Sequence, residues 1–212
     1  MRAVVALLLT LSIDAAAEEC APARMIRMET VDAPITVEAR KAPQMSRVIY
    51  RIGSNRMRVE EILNPATGLH LLFIIDTPDA WTIDLAKRSG EHGVDPDGAS
   101  STVQAPLFDA PGLPADLVAV EVGCELAFIA HPQTSHEPAG SGEKTGLKHF
   151  RQSGPWRLTL LTRTGESAPM AAMLSKDGKV VAAIRYRSYA FVDAIPVGLF
   201  AAPDGIAMRE AD

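Results

Sequence analysis

YRIGSNRMRVEEILNPATGLHLLFIID, Tyr50 to Asp76, is the stretch that decides the fold. With the run just before it, it places Val48, Tyr50 and Ile52 on one side and Arg47, Ile49 and Arg51 on the other. That alternation marks a strand, because successive side chains of a pleated chain point to opposite faces. Gly53, Ser54 and Asn55 tolerate the positive φ that tight hairpin turns demand. Arg56, Arg58 and Glu60 then alternate with Met57 and Val59. The reading is a half-buried antiparallel hairpin with a charged outer face. Asn64-Pro65-Ala66-Thr67-Gly68 breaks the pattern, and LHLLFIID resumes it as a third strand.

The meander continues outward in both directions. MIRMETV and, after Pro34, ITVEA precede it as short strands. TPDA turns the chain into WTIDLAK, where Trp81, Ile83 and Leu85 oppose Thr82, Asp84 and Ala86. A further short strand is expected in the polar, glycine-bearing run from Arg88 to Gln104. WRLTLLTR, Met170–Leu174 and Val180–Tyr186 return to strands, the last two joined by the turn Lys176-Asp177-Gly178-Lys179. Residues 131–154 read as a flexible polar loop. The segment 115–129 fits two periods. Val118, Val120, Val122, Cys124, Leu126 and Phe128 alternate as in a strand, whereas Leu113, Leu117, Val120, Cys124, Ala127 and Phe128 form one helical stripe. Pro114 at a helix start and Asp116 in its first turn favour a helix of about four turns.

The N-terminus reads as an export signal. Arg2 is followed by an apolar run from Ala3 to Ile13, then by Ala15-Ala16-Ala17 before Glu18. Charge, a short apolar stretch and small residues in that order form a secretory signal peptide. Residues 1–17 are therefore expected to be removed, leaving 18–212 as a single domain in the periplasm or outside the cell. No later run reaches the roughly 18 apolar residues of a membrane helix. An oxidising compartment would let Cys20 and Cys124 pair as a disulfide, with two separate thiols as the alternative. A hydrophobic content of 47% suits a packed globule, and a net charge of −5 without a basic block argues against a nucleic-acid partner.

Motifs for chemistry fail on their spacing. AGSGEKTG has Glu143 where a phosphate loop needs its second glycine. His131, His136 and His149 with Glu137 and Glu143 lack the fixed spacing of a metal site. No serine sits in a nucleophile elbow. Glu60 and Glu61 point to opposite faces of one strand, and the possible helical pair Glu121/Glu125 has no evident catalytic partner. No catalytic residue, metal or cofactor is assigned.

Three features together resemble the periplasmic lipoprotein-carrier superfamily of LolA/LolB-like and outer-membrane lipoprotein-sorting-like proteins. They are YRIGSNRMRVE ahead of LLFIIDTPDAWTIDL, the central LVAVEVGCELAFIAHP, and the ending YAFVDAIPVGLFAAPDGI. The resemblance implies an α+β fold, a strongly curved antiparallel half-barrel with helices packed on its concave side. It implies a soluble carrier that holds a lipid, acyl chain or other apolar ligand and passes it to another envelope protein. The ligand-binding residues expected on the concave face are Tyr50, Ile52, Met57, Val59, Leu72, Ile74, Trp81 and Ile83. The same face read as a filled core remains open. So do two other functions: an envelope interaction or sensor module, and a hydrolase using the histidine-bearing loop.

Overall fold

A computed structural model describes residues 21–35, 44–95, 105–140 and 146–211. Among them runs one open sheet of twelve strands. β1 (Met25–Asp32), β2 (Ser46–Ile52), β3 (Arg56–Glu61), β4 (Leu71–Asp76), β5 (Asp79–Asp84) and β6 (Ser89–Val94) form an antiparallel meander. A second meander comprises β7 (Ser135–Pro138), β8 (Gly146–Ser153), β9 (Trp156–Arg163), β10 (Pro169–Lys176) and β11 (Lys179–Val192). The two join where β11 pairs antiparallel with β1, from Met25↔Val192 to Asp32↔Ile184. Finally β12 (Ala207–Glu210) lies parallel to β6 at the opposite side of the sheet from β7.

This corrects the expected α+β class. The helices are α1 (Ala115–Val118) and α2 (Glu125–Ala130), of four and six residues, so the architecture is nearly all β. The four-turn helix over 115–129 is interrupted for a local reason. Residues 120–122 are held extended against 105–107, with Leu107 N donating to Val120 O and Val122 N to Ala105 O at 2.7 and 2.8 Å. Gly123 then turns the chain with φ +90°. Both periods seen in the sequence are thus used in part. The supposed polar loop 131–154 also contains β7 and all of β8. The expected ITVEA strand falls largely outside the described residues. The expected short strand after Arg88 is β6.

Cross-strand partners share a face, which sorts the side chains. Ile26, Met28, Ile49, Arg51, Met57 and Val59 share the first face. Residues 105–130 cross that face. Leu107, Phe108, Leu117, Val120 and Phe128 pack there on Trp156, Leu158, Leu160, Ala172 and Leu174. The second face carries Met25, Leu72, Ile74 and Ile83, covered by Leu199, Phe200 and Ile206 of the segment after β11. Arg58 fastens that segment by donating to Leu199 O at 3.2 Å.

Gly123 is the tightest point of the crossing. A Cβ there would lie 3.1 Å from Cδ of Arg51, and its φ disfavours any L side chain. Gly123→Ala is expected to lower the urea midpoint by the equivalent of about 1–3 kcal/mol, the cost of a strained backbone position. An unchanged midpoint would show that the turn relaxes freely. Cys124, next in sequence, is buried. Its expected partner Cys20 lies outside the described residues. If the pair forms, intact mass after alkylation of the native, unreduced protein should show no added label.

Candidate functional site

A half-open cavity of about 550 Å³ lies on the first face, between the sheet and the crossing segment. Its apolar wall includes Met28 of β1, Ile49 of β2, Met57 and Val59 of β3, and Ile184 of β11. Leu107, Phe108 and Val122 close it from the crossing side. Strand alternation puts these sheet residues side by side, and the extended run 120–122 supplies the opposite wall. The volume falls within the roughly 300–1,000 Å³ of ligand pockets, which are mostly apolar with few polar groups.

One of those polar groups is Arg47 near Asp32 and Glu61. Its guanidinium donates to Asp32 Oδ1 at 2.8 Å and to Glu61 Oε1 at 3.0 Å. Burial acts against its charge, but these two carboxylates raise its pKa overall. Another is Glu125, the first residue of α2 and fully buried. Tyr186 donates its hydroxyl to Glu125 Oε1 at 2.9 Å. Desolvation pushes the Glu125 carboxyl up, with hydrogen bonds opposing the shift. The phenols of Tyr186 and Tyr189 are also raised, first by burial and then by the neighbouring carboxyl.

The sequence-derived ligand residues divide between the two faces. Met57 and Val59 line the cavity. Leu72, Ile74 and Ile83 lie in the second-face core, with Tyr50, Ile52 and Trp81 packed against it. The reason is register. The three-residue turn Gly53–Asn55 pairs Ile52 with Arg56 and Tyr50 with Arg58, so the apolar residues of β3 face away from Tyr50 and Ile52. Arg51, expected on a charged outer face, is instead buried beneath the crossing. It donates to Glu121 Oε2 at 2.5 Å and to Val122 O at 2.8 Å. Tyr186 is a site residue the sequence reading missed, and Glu125 was named there only in a possible helical pair with Glu121. The signal for a buried role was a lone acid inside the apolar run CELAFIA.

The histidine-bearing region has a structural pattern of its own. His136 and His149 are cross-strand partners on β7 and β8, with their Nδ1 atoms 2.8 Å apart. His149 Nε2 is 2.9 Å from Thr162 Oγ1. Among the described residues no group of three or more His, Cys, Asp or Glu is placed to hold a metal ion. Burial, then the proximity of His136, lowers the pKa of His149 below 6.5. A base with a lowered folded-state pKa binds fewer protons folded than unfolded. Its contribution is therefore present above about pH 6.5 and lost as pH falls through that value toward the folded pKa. His92 acts oppositely: Asp79, 2.7 Å away, raises its pKa, so its contribution is present at low pH and lost as pH rises. The difference between the wild type and His149→Gln isolates the first group. Its urea midpoint difference should shrink as pH falls from about 7.5 to about 5. A pH-independent difference would contradict the assignment.

No family model matches the chain, and no curated protein matches it. An uncharacterized conserved protein from Thermus thermophilus is similar in structure at 12% identity and a TM-score of 0.48, over 89% of this chain and 91% of that one. A LolA superfamily protein, NE2245 from Nitrosomonas europaea, is similar at 10% identity and a TM-score of 0.34, over 88% and 94% of the two chains. A structure of PNGF-II is similar at 9% identity and a TM-score of 0.36, over 90% of this chain but 31% of that one.

Proposed function

We propose that this chain is an exported binding protein, acting in the periplasm or outside the cell, which holds a lipid, acyl chain or other apolar ligand without transforming it. The apolar cavity on the first face is the observation that carries the reading. Each buried methylene of an acyl chain contributes about 0.8 kcal/mol, so one chain gives useful but reversible affinity, as a carrier requires. Transfer to another envelope protein would follow from that reversibility.

The test is native mass spectrometry of protein purified gently from the envelope fraction, together with titration of the neutral fluorophore N-phenylnaphthylamine. Co-purifying apolar adducts and saturable uptake, displaced by long-chain compounds, are expected. A protein with no adduct and no saturable uptake would overturn the proposal and leave the cavity a packing feature.

A further inference from the structure

We infer that the cavity takes amphiphiles with a primary ammonium head, and that Asp32, Asp109 and Thr30 receive that head. The inference deepens the proposed function and rests on reading the cavity as a binding site. Arg47 is the one cation among the described lining residues, and its guanidinium is shared between Asp32 Oδ1 and Glu61 Oε1. Those three side chains together leave one negative charge. Asp32 uses only Oδ1 for Arg47 and keeps nearly half of its side-chain surface open. Asp109, exposed at the same cavity, adds a second negative charge and forms no ion pair among the described residues. Glu125 adds none, because burial favours its uncharged form.

Thr30 points to a ligand independently of charge. It is 3% exposed, lies between Met28 and Asp32 on the cavity face of β1, and is the cross-strand partner of Arg47. Its hydroxyl has no hydrogen-bond partner among the described residues. Buried polar groups are almost always paired, so this one calls for a partner from the contents of the cavity. A primary ammonium brings three donors and a positive charge. It can meet the hydroxyl oxygen and the two carboxylates, and it offsets the excess negative charge. An anionic head would be repelled by that excess, with Arg47 already held by its own carboxylates. A hydroxyl head would satisfy Thr30 but leave the charge, and a quaternary ammonium would offset the charge without a proton for Thr30. The apolar wall of Met28, Ile49, Met57 and Val59 then takes the chain. Long-chain amines and ethanolamine lipids share this head.

Displacement of N-phenylnaphthylamine at neutral pH by dodecylammonium, dodecanoyl lysophosphatidylethanolamine, dodecanol and dodecanoate tests this. At least one of the two ammonium compounds should bind about tenfold more tightly than dodecanol, the scale of a charge-assisted hydrogen bond, and dodecanoate should be the weakest. The tighter of the two ammonium compounds names the source of the head. Its affinity should fall about fivefold in Asp32→Asn and in Asp109→Asn, with dodecanol affinity kept, and raised salt should weaken it more than dodecanol. Asp109 has no ion pair to lose among the described residues, so Asp109→Asn reads the site even if Asp32→Asn does not fold. Thr30→Val keeps the side-chain shape and should also weaken the ammonium compound severalfold. Dodecanol as tight as both ammonium compounds would overturn the inference. So would an ammonium affinity unchanged in Asp109→Asn and Thr30→Val alike. Failure of all four compounds to displace the fluorophore, or absence of fluorophore uptake, would instead overturn the cavity reading itself.

Discussion

Replacing Ile74 by glutamate is expected to unfold the protein, whereas replacing Met57 by glutamate is expected to leave it folded and abolish uptake of an apolar probe. The two residues lie on neighbouring strands, β4 and β3, and both were expected to line one surface. Ile74 is fully buried among Leu72, Ile83, Met25 and Phe200. A carboxylate there loses its water and gains no partner, at a cost of about 4–5 kcal/mol or more. Marginal domains have only about 5–15 kcal/mol in total. Met57 is half-buried at the cavity wall, where a carboxylate can keep part of its hydration. It would still place a charge where an acyl chain must lie. Thermal melts followed by circular dichroism, with N-phenylnaphthylamine titration of whichever variant folds, separate the cases. Loss of the cooperative transition in Met57→Glu would show that the first face is a filled core. A cooperative Ile74→Glu variant would show that the second face is looser than its packing indicates.

Removing the Arg51 guanidinium is expected to cost about 3–5 kcal/mol, the penalty for breaking a buried ion pair from one side. In the native chain this side chain ties β2 to Glu121 and to the Val122 carbonyl. Arg51→Ala strands a carboxylate that is 17% exposed and removes the donor to the Val122 carbonyl. The extended run 120–122 should loosen, and the cavity wall at Val122 with it. Arg51→Met, which restores apolar volume, should recover part of the loss. Combined with Glu121→Gln, Arg51→Ala should cost less than the two single changes added, because the partners meet directly. Urea denaturation of the four variants measures this. Strict additivity would show that the pair contributes nothing as a pair.

Local features of the fold were legible where chemistry and geometry act over a few residues. The β10–β11 turn is one case: Lys176-Asp177-Gly178-Lys179 places Asp177 and Gly178 at φ 50° and 75°, the left-handed region such residues tolerate. The β2–β3 hairpin and the β4 and β5 strands likewise follow their alternation. The helix expected over 115–129 failed because its two periods compete. Intrinsic preference could not settle a contest that pairing with residues 105–107 decided.

The candidate site was less legible than the strands that carry it. Met57 and Val59 were found, since alternation marks an apolar face wherever it occurs. Their grouping with Tyr50 and Ile74 was not correct. A change of one residue in the turn reverses every side chain of the following strand, and Gly53–Asn55 is compatible with more than one register. Glu125 could be noticed as an acid in an apolar run. Its meeting with Tyr186, 61 residues away, could not.

By itself, the sequence determined that the chain forms short antiparallel strands linked by tight turns, and that β2, β3 and β5 carry apolar side chains at alternate positions. Those properties reside in side-chain period and in the φ values that individual residues accept. Only the tertiary structure decided that two meanders join through β1 and β11 into one sheet, that β12 returns parallel to β6, and which apolar residues fill a core and which line a cavity. Strand pairing at long range depends on which edges are free and what covers each face. The crossing segment buries Arg51 and leaves room above Met57, an outcome set by backbone contacts between residues far apart in the chain.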